Sequence, residues 1–156
     1  MPTARPTCFA VVLALVLVAL AGCSIPASTE PSGYSFNGTV IEIVDGDTID
    51  VRLENGTVER VRLLGIDTPE VHVEVQPDEY EGVPSTETGR ACLREAGENA
   101  SAVVKVRLAD ERVTLRLDPQ ADARGGYDRL LAIVVHDNSS VNYELIEDGH
   151  ARLYDT

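Results

Sequence analysis

The sequence predicts a mainly β fold with some α: a small five-stranded barrel with two helices packed against it. Three observations carry that expectation. Strand-like runs recur five times, the first connections are tight Asp-Gly and Asn-Gly turns, and helical spacing is confined to two segments.

Gly38 to Val44 and Thr48 to Leu53 are rich in β-branched residues, and the Asp45-Gly46-Asp47 turn between them is a strong hairpin signal. Glu54-Asn55-Gly56-Thr57 makes the next turn and leads into a third strand, Val58 to Ile66. Its alternation puts Val61, Leu63 and Gly65 on one face and Arg60, Arg62 and Leu64 on the other. Arg62 can therefore point into a cleft while its neighbours pack. Residues 71–85 form a polar, acid-rich loop containing Glu74, Asp78, Glu79 and Glu81. Ser85 or Thr86 can cap a helix running to about Leu108, with Ala91, Leu93 or Arg94, Ala100 and Val104 at helical spacing. Gly89 and Gly97 weaken that helix by roughly 1 kcal/mol each, which puts its continuity in question.

Glu111 to Leu117 alternates as a fourth strand, with Val113, Leu115 and Leu117 on one face. Arg129 to His136 is the fifth, apolar on both faces over Leu130 to Val135, as a strand covered on both sides is. Pro119 to Gly126 is a flexible turn between them. Asn138-Ser139-Ser140 then caps a short helix, Val141 to Asp148, stopped by Gly149. Three strands, a helix, two strands and a helix match an OB-type barrel best.

Residues 9–22 are apolar, follow a head with one positive side chain, Arg5, and end in small residues before Cys23. A stretch this short reads as a secretory signal over residues 1–22, because a spanning helix needs about 20 apolar residues. Leu20-Ala21-Gly22-Cys23 resembles the lipobox of prokaryotic lipoproteins, in which the cysteine becomes the lipidated first residue. The expectation is an exported protein anchored to the cell-surface membrane through Cys23. Residues 23–35, rich in Ser and Pro, are the tether, and 36–156 form one domain. Once Cys8 leaves and Cys23 takes lipid, only Cys92 remains, so no disulfide within the chain can form. Its setting, Ala91-Cys92-Leu93, reads as a small buried apolar position.

Thirteen Lys plus Arg face 26 Asp plus Glu, a net charge of −13. Such an excess repels polyanions at low salt. Yet Lys105 is the single lysine, and an acidic, lysine-poor composition is the pattern associated with halophilic proteins, here from an archaeon. At about 1 M salt the Debye length shrinks to roughly 3 Å, so a distant negative surface matters little and direct arginine contacts survive. The charge informs on habitat rather than substrate.

Two acidic turns carry the chemistry, Asp45-Gly46-Asp47-Thr48 and Asp67-Thr68-Pro69-Glu70, joined later by Tyr127-Asp128-Arg129. Hydrolysis of a phosphodiester requires that its oxygens be neutralised and a water be deprotonated. Asp47, Asp67 and the Thr68 carbonyl offer hard oxygen ligands, suited to Ca²⁺ or Mg²⁺ rather than zinc. Asp45, two residues before Asp47, can orient a water at the ion from behind it. Glu70, presented by a stiff turn after Pro69, can hold and deprotonate the attacking water. Arg62 and Arg129 come from different strands and can grip phosphate oxygens bidentately. Tyr127 can donate to a terminal phosphate or stack on a base.

VDGDT at 44–48, RLLGIDTPE at 62–70, YDRLLAIV at 127–134 and VNYELIEDGHARL at 141–153 together closely resemble the staphylococcal nuclease (thermonuclease) family. The resemblance spans about residues 38–154. It implies an OB-fold nuclease with one Ca²⁺ held by Asp47, Asp67 and the Thr68 carbonyl. It also implies Glu70 as general base, Arg62 and Arg129 on the scissile phosphate, and 3′-phosphorylated products from DNA or RNA. Two departures bear on function. Asp128 stands where the family commonly has glycine, and its charge can misdirect or partly neutralise Arg129. The segment after Glu70 is acidic where a basic, substrate-guiding loop is expected. The sequence also ends where the best-known member continues into another helix.

His72, His136 and His150 are too scattered for a triad and read as surface or helix-end residues. The competing function is a non-catalytic OB module that binds nucleic acid, protein or metal at the cell surface. A pure binder has no need of Arg62, Glu70 and Arg129 together. A monomer is expected.

Overall fold

The computed structural model describes residues 34–154. The leader, Cys23 and the tether up to residue 33 lie outside the described residues.

β1 (Ser35–Ile43), β2 (Thr48–Leu53) and β3 (Val58–Leu63) form an antiparallel meander. Val40, Ile49, Val51, Val61 and Leu63 line its inner face and are shut off from solvent. The third strand ends earlier than its sequence suggests, because Gly65 turns left-handed at φ +76° and a residue in that region cannot continue the ladder. The chain resumes as the two-residue β4 (Ile66–Asp67), paired with β8 (Arg152–Leu153), so Asp67 lies opposite Arg152.

α1 (Glu87–Leu108) is one continuous helix, capped by the Thr86 hydroxyl, which accepts from the Gly89 amide at 3.2 Å. Its two glycines sit on the packed face. A Cβ at Gly89 would collide with the Pro84 carbonyl and one at Gly97 with the Pro69 carbonyl, so close approach decides both positions. The buried stripe runs Gly89, Leu93, Gly97, Ala100, Val104 and Leu108. That phase puts Ala91 on the outer face, and Cys92 is exposed, not buried as its apolar neighbours suggested.

β5 (Arg112–Arg116) pairs with β1 on one side and β6 (Leu130–His136) on the other. β6 then runs parallel to β3, matching Val61 to Leu130 and Leu63 to Ala132. This pairing closes the order β3-β2-β1-β5-β6 into a five-stranded OB-type barrel. β7 (Ser139–Ser140) flanks β6, and α2 (Val141–Glu147) packs on it. Val104 and Leu108 of α1 and Val141 and Leu145 of α2 complete the core. With Cys92 unpaired, that core supplies the stability, at about 1.5–3 kcal/mol for each fully buried aliphatic side chain. Among the described residues no helix is long and apolar enough to cross a membrane.

Asn142 pins the barrel at its parallel seam. Its amide donates to the carbonyls of Leu64 at 2.9 Å and Ala132 at 3.3 Å, and its oxygen accepts from the Val134 amide at 2.9 Å. It thereby satisfies backbone groups where β3 and β6 diverge.

Candidate active site

Both acidic turns are seated on one stretch of α1. A Cβ at Gly46 would press to 2.8 Å on the Ala100 Cβ and on the Thr68 Oγ1, and Gly97 receives the Pro69 carbonyl. The small residues at 97 and 100 therefore let the turns at 45–48 and 67–70 approach the helix and each other. A direct link joins them, since the Thr68 amide donates to Asp47 Oδ2 at 3.1 Å.

Asp47 is 2 % exposed, and its Oδ1 accepts from the Thr48 hydroxyl at 2.9 Å and from Arg62 Nη1 at 2.7 Å. Burial, reinforced by the nearby Asp45 charge, pushes its carboxyl up to about 7 against the pull of Arg62. Asp67 Oδ1 accepts from Arg62 Nη2 at 2.9 Å. Arg62 thus bridges the two expected ligands instead of standing free for a phosphate. The physical reason is charge: two buried carboxylates require a cation, and Arg62 supplies one. Asp45 Oδ1 accepts from the Asp47 amide at 3.1 Å and so shapes its own turn.

Behind Asp67 lies a support that the sequence reading missed. Its Oδ2 accepts from Arg152 Nε at 2.9 Å and from the Tyr80 hydroxyl at 3.1 Å, and Arg152 stacks on the Tyr80 ring with 4.1 Å to the centroid. Arg152 also donates to the Glu79 carbonyl. Burial and the Asp67 charge raise the Tyr80 phenol well above its ordinary value, so it stays a donor. The acid-rich loop is consequently anchored, with Val75 and Pro77 buried and Tyr80 bonded to the site. Arg152 sits inside the VNYELIEDGHARL motif, but only the pairing of β4 with β8 reveals its partner.

Glu70 faces the same cleft. Partial burial, then the charge of Asp45, raises its carboxyl above the ordinary range, while Arg62 and Arg129 oppose the shift. Across the cleft, Tyr127 and Asp128 adopt consecutive left-handed conformations, φ 59° and 58°. Glycine takes that backbone without strain, so the glycine that the family resemblance implies at position 128 suits this turn better than aspartate does. The Asp128 carboxylate turns to Arg124, with Nε to Oδ1 at 3.6 Å, and not to Arg129. Among the described residues Arg129 has no carboxylate partner within 4 Å; its Nε donates to the Gly126 carbonyl at 3.0 Å. Tyr127 is 97 % exposed and lies under the Arg129 guanidinium, 5.7 Å to the ring centroid. Arg62, Asp67, Glu70 and Arg129 all line one cleft of about 790 Å³, whose rim carries Asp118 and Asp122.

The donor set fits a hard divalent cation. Asp45, Asp47, Asp67 and Glu70 place negative charge around Arg62 and Arg152, and the oxygen donors are carboxylate and carbonyl. Among the described residues no three His, Cys, Asp or Glu side chains form a metal-holding group.

An OB-type barrel with Arg62, Asp67, Glu70 and Arg129 on one cleft defines a class, the OB-barrel proteins with a charged cleft. Within that class, the chain belongs to the staphylococcal nuclease homologue family, whose model matches residues 60–156. It is 33% identical to the uncharacterized protein MJ1439 of Methanocaldococcus jannaschii, over 94% of this chain and 81% of that protein. It is 35% identical to endonuclease YncB of Bacillus subtilis, over 75% of this chain and 47% of the endonuclease. Identity is also 35% to the thermonuclease of Staphylococcus intermedius, covering 81% of this chain. The chain spans 63% of that thermonuclease and less than half of the Bacillus endonuclease.

Proposed function

We propose that this protein is a calcium-dependent nuclease that hydrolyses phosphodiester bonds of DNA or RNA and leaves 3′-phosphorylated products. The observation that carries this reading is Arg129, a guanidinium without a carboxylate partner among the described residues, facing the same cleft as Glu70 and Asp67, with Asp47 buried behind Arg62.

Asp47, Asp67 and the Thr68 carbonyl would hold the calcium ion, which when bound would supply positive charge against the phosphate oxygens. Glu70 takes the proton from the attacking water, and its raised pKa makes it a stronger base. Arg129 binds the non-bridging oxygens as their charge grows. Arg62, which bridges Asp47 and Asp67 and also lines the cleft, would turn to a phosphate oxygen if those carboxylates took a cation instead. Asp45 steadies the first turn, Arg152 and Tyr80 steady Asp67, and Tyr127 offers its exposed ring to a base or its hydroxyl to a terminal phosphate.

The leader and Cys23 support export and a lipid anchor at the cell surface, and the lysine-poor acidity supports a high-salt habitat. The protein acts as a monomer. The test is cleavage of single-stranded DNA by the purified protein with Ca²⁺ and salt varied. Cleavage at high salt that is lost on chelation is expected, whereas inert protein under those conditions favours a binding module.

A further inference from the structure

We propose that Arg124 is a positioning residue that locks the left-handed Tyr127-Asp128 turn and so aims Arg129 into the cleft. This role rests on the nuclease reading above for its catalytic consequence, though not for its geometry.

The loop has a narrow base, where the Gly125 amide donates to the Arg129 carbonyl at 2.9 Å and the Leu131 amide to the Ala123 carbonyl at 3.0 Å. At its tip, two successive residues other than glycine sit at positive φ. Such a conformation persists only when surrounding contacts hold it. Arg124 provides three of them. Its Nη1 donates to the Asp128 carbonyl at 2.7 Å, its Nη2 reaches Glu59 Oε2 on β3 at 3.0 Å, and its Nε faces the Asp128 carboxylate. One guanidinium thus ties the second strained residue to the barrel wall.

Arg129 follows directly and donates to the Gly126 carbonyl across the same turn, so the direction of its side chain is inherited from the turn. Arg124 also separates two charges. With Glu59 and Asp128 both engaged by Arg124, the Asp128 carboxylate is kept from pairing with the adjacent Arg129. Removing Arg124 therefore does two things at once: it releases the strained backbone and frees a competing carboxylate. A glycine at 128 removes both problems, since it adopts positive φ without a steric cost and carries no charge.

The experiment compares R124A, R124K, D128G and the double variant R124A/D128G in the full chain. In R124A, kcat falls about tenfold or more with little change in KM, because small misplacements of a positioned group are costly. R124K recovers part of that loss, D128G stays near wild type, and the double variant returns to within about threefold of wild type on this reading. A rise in KM with kcat intact, or a double variant as impaired as R124A, overturns the proposal in favour of direct substrate contact by Arg124. The latch is also read without turnover, from exchange protection of the Arg129 Nε–H bonded to Gly126. Protection lost in R124A and regained in the double variant supports the latch; unchanged protection in R124A overturns it. If wild type does not cleave nucleic acid but shows this pattern, the nuclease reading fails and the latch stands.

Discussion

The two walls of the cleft are built on opposite principles. The acidic side is buried: Asp47 and Thr68 lie behind Asp67, which alone of the three lines the cleft, each carboxylate oxygen pair is engaged, and Gly46, Gly97 and Ala100 mark where the turns meet α1. The phosphate-facing wall is exposed, with Tyr127 almost fully in solvent and Arg129 on a loop held at its base and by Arg124. The difference follows from what each wall must do. Carboxylates gathered for a cation repel one another and need a rigid frame, whereas an arginine that grips a large, variable anion needs an open approach. Substitutions should therefore separate stability from turnover according to the wall they touch.

The largest expected effect is on turnover at the mouth of the acidic wall. Glu70→Gln should cut kcat by about 10²- to 10⁴-fold while calcium affinity, followed by calorimetry, stays close to wild type. Unchanged turnover would remove Glu70 as the base. On the open wall, Arg129→Ala should lower kcat by about 10²-fold or more with the melting temperature unchanged, because no carboxylate partner is stranded. Arg62→Ala should behave differently despite the shared residue type. It leaves the buried Asp47 without a cationic partner, while Asp67 keeps Arg152, and should cost about 3 kcal/mol of stability in denaturant titrations without calcium, much of it restored by the ion. Equal stability losses in the two arginine variants would erase the contrast.

Smaller effects probe the frame. Gly97→Ala improves intrinsic helix propensity by about 1 kcal/mol, yet it should lower both melting temperature and activity, because the new Cβ displaces the Pro69 carbonyl and with it Glu70. A stabilised, fully active variant would show that α1 does not seat the turn. The weakest effect is in pH dependence. The folded Asp47 carboxyl, at about 7, lies above its ordinary 3.8, so its contribution to stability is full below about 4 and is lost as pH rises through 7. Calcium should therefore raise the melting temperature more at pH 8 than at pH 5. The reverse order in a thermal-shift titration would mean that Asp47 is not held up by burial.

Much of this was legible in the chain itself, for identifiable reasons. The Asp-Gly-Asp hairpin, β2, the Thr86 cap and the Ser140 cap are local features, fixed by turn chemistry and short-range hydrogen bonds. The pairing of Asp47 with Asp67 was readable from two motifs close in sequence. Cys92 was misread because helical phase there depends on which face meets the barrel, and the packed glycines, not the apolar residues around Cys92, define that face. Arg152, Tyr80, Arg124 and Asn142 were not legible as site or frame residues. Each acts on a partner far along the chain or through backbone geometry, and residue type alone carries no such signal.

By itself, then, the sequence determined the barrel, its helices and the chemical inventory of the cleft, because periodicity, turns and caps are local physics. Only the tertiary structure decided that Arg62 sits between the two aspartates, that Asp128 answers to Arg124 and leaves Arg129 free, and that Gly97 is a seat and not a weakness. Those outcomes depend on burial and on charges brought together from distant positions, and neither exists until the chain has closed.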